Sequence, residues 1–528
     1  MSGMKTTVVL FASFVSVVAQ AVTGNVAWDN AYSWNSTTGG SFFDTSCWRT
    51  WGGSDFDEPV AAPPGAAPHC WTNCIGAVAP NCYSYRITFP DDVTLGRAHF
   101  STLSDKIADV TLDFCGHTFT VDGEWYLDGW DRTNSGRPTM SLTMSNGVAN
   151  ITTTTSLINR WSVDRYHANL TFGAGLEARF AGSLNVRSKG RPTEVTAITA
   201  KDGAHVNFTK GVDLNYSSSV TFRITGEGTA VTNLSDGAWY INKDCHVIVE
   251  DHASFEYSWF RIWGSNTSFE FDNVACTNRN VGEILQVGYT QTTGVPVTNC
   301  VVESRNNAKV GFSKGVKLGG PYNKLRVIGG SDVFVNSGGI YLSSEFCDLD
   351  VDDSTLVVNS GNALTLGAGG TYVWGRGAAA SNCTMRISGR DGHVSTGRFV
   401  MYNNSALEFD IPRGGYATTP LEVTTETGIE TNTDCHIVIN ADKFMVAHPG
   451  ETITLATFKS PRDTTVQTQA FNTRYAITNS TRFVRHGREY RINENPALTG
   501  TITYEVVSDR STLTYTAPVS SGLIIKVE

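Results

Sequence analysis

Charge, basic clusters and long apolar runs are all scarce in this sequence. Only 17% of the residues are charged, and the densest basic stretch is Arg485-His486-Gly487-Arg488. Neutralising a nucleic-acid backbone takes clustered Lys and Arg. The formal net charge of −10 therefore excludes nucleic acid as an expected partner. After the first twenty-odd residues no segment approaches the ~20 consecutive apolar residues of a membrane-spanning helix, so no membrane span is expected. No HExxH, no phosphate-cradling glycine loop and no Ser/His/Asp motif occurs, and Thr225-Gly226-Glu227-Gly228 reads as a turn. No cofactor is implied.

Turn and strand formers are abundant instead. The chain holds 51 Gly, with much Ser, Thr and Asn, the composition of a β-rich, turn-rich protein. Residues 1–21 read as an export signal: Lys5 supplies a positive start, Thr6 to Val18 an apolar run, and Ala19-Gln20-Ala21 a small-x-small cleavage site. A secreted or cell-surface location is expected. In an oxidising compartment Cys47, Cys70, Cys74 and Cys82 allow disulfides, with three complete pairings open. Cys70-x-x-x-Cys74 lacks the His cluster a zinc site needs.

Five times a cysteine opens a strand-like alternation, at Cys245, Cys300, Cys347, Cys383 and Cys435. Aligned with similar stretches, the inward-facing triplets read Val220/Phe222/Ile224, Cys245/Val247/Val249, Thr267/Phe269/Phe271 and Cys300/Val302/Ser304. They continue as Asn323/Leu325/Val327, Cys347/Leu349/Val351, Cys383/Met385/Ile387, Ser405/Leu407/Phe409 and Cys435/Ile437/Ile439. A step of 22–25 residues recurs, and longer steps read as the same unit with a loop inserted. One such unit cannot bury its own apolar face. Stacking units about 4.8 Å apart makes a continuous core, which is a β-solenoid. The cysteines then serve as small buried hydrophobes.

The alignment also aligns the outward residues Arg223, Ile248, Glu270, Glu303, Arg326, Asp350, Arg386, Glu408 and Val438. From Glu303 to Glu408 the signs alternate, which predicts a ladder of opposite charges that fixes register. The expected organisation is a Trp- and Cys-rich N-terminal cap over 22–95, a solenoid over 96–445, and an antiparallel C-terminal β section over 446–528 with a hairpin near Arg485–Arg488.

The spacing Trp28-x5-Trp34, then Cys47-Trp48-x-x-Trp51, a Pro-rich loop and Val93-Thr94-Leu95 resembles the start of bacterial autotransporter-associated β-strand repeat proteins. The segment from Gly450 to Phe458 resembles their closing section. The resemblance implies a right-handed parallel β-helix of the pectin-lyase-like kind, passenger-like, with a structural or adhesive role. No barrel pattern follows the closing section within the 528 residues, a departure from true autotransporters, so self-transport is not expected.

That fold also carries polysaccharide lyases and hydrolases, so chemistry must come from residues. Asp348, Asp350 and Asp352 share one strand face at alternate positions about 6.8 Å apart, a candidate acid pair or Ca²⁺ site. The solvated face of a charge ladder is the plainer account of them. The Asn-Thr-Asp of β-helix polygalacturonases occurs at 432–434, but its companion motifs do not follow. Asp251, His252 and Arg261 fall within one repeat. Trp48, Trp51, Trp71, Trp125 and Trp130 are candidates for stacking on sugar rings if exposed; capping and core roles compete. The expectation is a non-enzymatic exported solenoid, with a polysaccharide-active enzyme or a carbohydrate-binding protein as alternatives. The expected partners are polysaccharide or cell-surface glycans.

Overall fold

A computed structural model describes residues 32–519, apart from 35, 37, 52–55, 63–69, 75–81, 104–106, 131–138, 154, 159–166, 188–195, 215–218, 234–236, 278–284, 289–295, 360, 368–379, 426–428, 432–434, 460–482, 486–487, 491–499 and 508–509. The export signal therefore lies outside the described residues, as do Trp28 and the Asn432-Thr433-Asp434 stretch.

Short alternating segments joined by tight corners can bury an apolar side only by coiling, and the chain forms a parallel β-helix with three faces. Among the described residues face 1 holds 15 strands, from Gly40–Ser41 to His436–Asn440. Face 2 is split into a run of 7 strands and one of 9. Face 3 holds 14, from Cys70–Cys74 to Ile429–Thr431. One coil illustrates the path: Lys324–Ile328 lies on face 1, Asp332–Val335 on face 2 and Ile340–Leu342 on face 3. The chain then returns to face 1 as Asp348–Asp352, parallel to the strand it left.

The register follows the sequence alignment coil by coil. Phe222 pairs with Val247, Val247 with Phe269 and Phe269 with Val302. The series runs on through Leu325, Leu349, Met385 and Leu407 to Ile437. The inward triplets are buried from Val220 to Phe409, and in the last coil Ile437 and Ile439 become half-buried because no further coil covers them.

The slot occupied by the cysteines has a specific chemistry. The thiol of Cys300 donates to the carbonyl of Gly264 at 3.2 Å, that of Cys347 to Gly320 at 3.1 Å, and that of Cys383 to Ser344 at 3.0 Å. Thr267 fills the same slot and its hydroxyl donates to Gly264 at 2.9 Å, while the Asn323 amide donates to Val297 at 3.2 Å. In these coils the slot residue donates to a corner carbonyl otherwise shut away from water, whereas Val220 in the same slot has no side-chain donor.

The residue before the slot makes the corner. Ser219, Asp244, Asn266, Asn299, Tyr322, Phe346, Asn382 and Asn404 all have φ between 55° and 61°. Asn and Asp tolerate this left-handed region better than other side chains. Tyr322 and Phe346 are bulky exceptions, and their rings stack at 5.1 Å and 6°.

The coils begin earlier than residue 96. Cys82–Thr88 and Val93–Leu95 already pair with the next coil on faces 1 and 2, and Cys70–Cys74 does so on face 3. An aromatic plug sits under them: Trp34 meets Trp48 edge-on at 5.1 Å, and Phe42 stacks on Phe89 at 4.9 Å. At the other end, helix Asp442–Ala447 follows the last face 1 strand. Thr452–Lys459 extends face 2, then pairs antiparallel with Arg510–Thr516, which pairs antiparallel with Thr501–Val507. The hairpin strands Phe483–Arg485 and Arg488–Tyr490 pair antiparallel.

Candidate functional site

Two outer surfaces carry the polar chemistry. On face 1 the outward residues form the ladder the sequence predicts: Glu303 is paired with Arg326, Arg326 with Asp350, Asp350 with Arg386 and Arg386 with Glu408. Arg326 contacts Glu303, and its Nε lies 3.8 Å from Asp350. Arg386 lies 4.0 Å from Asp350 and 3.3 Å from Glu408. Burial pushes the Asp350 carboxyl up, against the pull of Arg386 and Arg326.

One step of this column breaks the alternation, because Glu270 sits directly beside Glu303. Like charges opposite one another are destabilising. Arg305 relieves the clash from the same strand as Glu303. Its Nη1 lies 3.0 Å from Glu303 and 3.2 Å from Glu270, and its Nε 2.8 Å from Asp272. Burial alone would raise the Asp272 carboxyl. The hydrogen bonds from Arg305 and Asn306, with the Arg305 charge, outweigh it and hold Asp272 below its ordinary value.

A groove of about 490 Å³ opens here, lined by His246, Ser268, Glu270, Asn299, Glu303 and Arg305 among others. It brings two carboxylates from adjacent coils beside a histidine and a serine. The Ser268 hydroxyl donates to Glu270 at 2.6 Å and lies 2.8 Å from Nδ1 of His246. A carboxylate only accepts and a hydroxyl has one proton, so Nδ1 must donate to Ser268. That tautomer orients His246 as a donor to the serine rather than as its base. Between the two glutamates, where a scissile bond would have to sit, lies the Arg305 guanidinium.

Face 3 is different. Between Asp213 and Thr365 its outward column reads Tyr240, Arg261, Gln286, Lys317 and Tyr341 in successive coils. Trp259 and Trp263 flank Arg261 on its own chain segment, and all three are half-buried. The Arg261 guanidinium lies 5.1 Å from the Trp259 ring centre and 5.9 Å from that of Tyr240, and Tyr240 meets Trp263 at 4.6 Å. Burial lowers the Lys317 ammonium below its ordinary value. The Tyr341 ring folds back over Gly339, where a Cβ would come within 2.9 Å of it.

The candidates named from sequence fare unequally. Trp48 and Trp125 are fully buried and cannot offer a ring face to a sugar. Trp125 takes an inward position on a coil, and Trp48 belongs to the aromatic plug beneath the first coils. Trp51, Trp71 and Trp130 lie on strands Trp48–Trp51, Cys70–Cys74 and Trp125–Trp130, and their side chains are outside the description. Asp348, Asp350 and Asp352 share one outward strand face, but each is engaged separately: Asp348 by Lys324 at 3.5 Å, Asp350 by the two arginines, Asp352 by the Ser388 hydroxyl at 2.8 Å. They do not converge as calcium ligands. Among the described residues the group that brings ligand atoms within 4.8 Å of one another is Asp91, Asp92 and His117, on the surface. Asp251 and His252 sit at the corner after face 1, away from Arg261 on face 3. Cys47 is a free buried thiol and Cys115 a free exposed one. Sequence reasoning passed over the face 3 cluster, although Trp259-Phe-Arg-Ile-Trp263 alternates with Trp, Arg and Trp on one side.

In comparisons with known protein families, curated proteins and solved structures, nothing matches this chain.

Proposed function

We propose that this protein is an exported, non-enzymatic β-solenoid with a structural or adhesive role outside the cell or at its surface, akin to autotransporter-associated β-strand repeat proteins. The observation that supports this reading best is the condition of the face 1 carboxylates. Glu303, Asp350 and Glu408 are joined to one another through Arg326 and Arg386, and Glu270 and Glu303 are bridged by Arg305. Such pairing serves register along a rod. It leaves no acid and base facing an open space where a bond could be cut. Export rests on the N-terminal segment read from the sequence.

A second reading, a polysaccharide-active enzyme, draws on the groove that gathers His246, Ser268, Glu270 and Glu303. The purified chain, incubated with a panel of polysaccharides and followed for reducing ends and unsaturated products, separates the two. The proposed reading expects no product from any polymer. Turnover that Glu303→Gln abolishes would establish the enzyme instead. Fractionation of the producing cells tests export, and retention inside the cytoplasm refutes it.

A further inference from the structure

Over its middle coils, beyond Asp213, the outward column of face 3 holds cations and aromatic rings together. From Tyr240 to Tyr341 the five aligned positions carry Arg261 and Lys317 but no carboxylate. This occurs in a chain of net charge −10, and in the same coils the outward column of face 1 carries Arg223, Ile248, Glu270, Glu303 and Arg326, acids and bases together. Four aromatic residues, Tyr240, Trp259, Trp263 and Tyr341, border these cations, each half-buried with part of its surface in solvent. Arg261 braces Trp259 and Tyr240, and Tyr240 packs on Trp263, so the orientation of these three rings is set before any ligand arrives.

We propose that this strip binds a polysaccharide chain bearing carboxylate or sulfate groups, laid along the solenoid axis. The proposal rests on the adhesive reading above and names its ligand class. Three physical points carry it. Partly exposed aromatic rings present apolar faces suited to the C–H faces of pyranose rings, and Gln286 supplies a donor and an acceptor between them. Arg261 and Lys317 stand two coils apart, about 10 Å along the axis at the usual strand spacing. A linear polymer with a regularly repeated anion can meet both. Lys317 is half-buried, and a cation partly stripped of water gains more from an arriving anion than a fully solvated one does. Nucleic acid offers anions too, but its denser charge is ill matched to a protein of net negative charge with two cations on the strip.

Affinity electrophoresis of the full chain tests this, in gels containing polygalacturonate or alginate (carboxylate), dextran sulfate (sulfate) or hydroxyethylcellulose (neutral), with single-stranded DNA as a competitor. Retardation is expected in the carboxylate or sulfate gels, or both, and not in the neutral one. Trp259→Ala with Trp263→Ala should weaken it at least tenfold. Arg261→Gln and Lys317→Gln should each weaken it several-fold and flatten its salt dependence. Arg326→Gln, on face 1, should leave it unchanged. The Arg261→Gln and Lys317→Gln variants keep the test decisive if the double tryptophan variant fails to fold.

The proposal is overturned by lack of retardation in both acidic gels, or by equal retardation in the neutral one. It is equally overturned if DNA outcompetes the polysaccharides, or if all the face 3 variants migrate as the parent does. Polysaccharide turnover would refute the non-enzymatic reading while leaving retardation on face 3 intact, so the two failures are distinguishable.

Discussion

Faces 1 and 3 are wound from the same coils over one continuous core, yet their outer sides follow different rules. Face 1 has strands mostly of five or more residues whose outward charges meet in opposite pairs. Face 3, over the same middle coils, has strands of three or four residues and gathers rings and cations. The difference teaches that coil geometry fixes which residues meet, while the choice of residue decides whether a face satisfies itself or leaves surface for something else. Face 1 spends its charges on its own neighbours. Face 3 sets Arg261 against aromatic rings.

The contrast is open to attack at several strengths. The largest effect should come from the core the faces share. Trp239, inward on face 3, is fully buried and packs on Phe222 at 5.0 Å and Phe255 at 4.9 Å. Trp239→Ala should cost about 3–5 kcal/mol in chemical denaturation. Trp259→Ala, outward in the next coil, should cost about 1 kcal/mol or less on the scale of surface changes. Equal costs would erase the division between inner and outer sides.

Next comes the face 1 crowding. Arg305→Leu leaves Glu270, Asp272 and Glu303 without their common cation and should cost about 2–3 kcal/mol, less than for a fully buried ion pair because Arg305 is partly exposed. Adding Glu303→Gln should recover part of that loss, and a simple sum of the two costs would mean the groups do not interact.

The acid response follows. The Asp272 carboxyl is held below its ordinary value, so its contribution is present above the unfolded value, near 4, and is lost as pH falls through the lower folded value. Asp272→Asn should therefore flatten the fall in melting temperature below pH 4. Asp350 is shifted the other way, so its protonation on acidification relieves a burial cost and opposes that fall.

A smaller effect is expected from the ladder itself. Arg326→Gln removes contacts that are partly solvated and should cost about 1 kcal/mol or less, read as a shift in denaturation midpoint. The smallest effect should be none at all. Burial raises the thiols of Cys245, Cys276 and Cys300 to about 12, so iodoacetamide at pH 8 should leave them unmodified in the folded protein while Cys115 reacts. Labelling of Cys300 without unfolding, read by mass spectrometry, would place the slot outside the core.

The inward triplets and the charge ladder were legible because period-2 alternation and a recurring step align positions without further information. The corner was half legible. Asn or Asp before most of the cysteines signals a turn, but Tyr322 and Phe346 occupy the same left-handed position, and no propensity marks them for it. The relief of Glu270 and Glu303 by Arg305 was not legible, since a long side chain reaches diagonally across the column. The tryptophans misled for a simple reason. A ring is equally at home inside a coil or on it, and only strand parity, known once the coils are placed, separates Trp125 and Trp239 from Trp259 and Trp263.

The antiparallel closure of face 2 has a consequence for assembly. A stack of parallel strands ends in unpaired amides and carbonyls that invite another copy to continue the pile. Here Arg510–Thr516 runs against Thr452–Lys459 and Thr501–Val507 reverses again, so face 2 carries two more strands beyond the coil in which face 1 ends at His436–Asn440. A second molecule offering its first coil would meet three faces that end at different heights, and could not pair with all of them at once. The rod carries its own stop to endless lengthening.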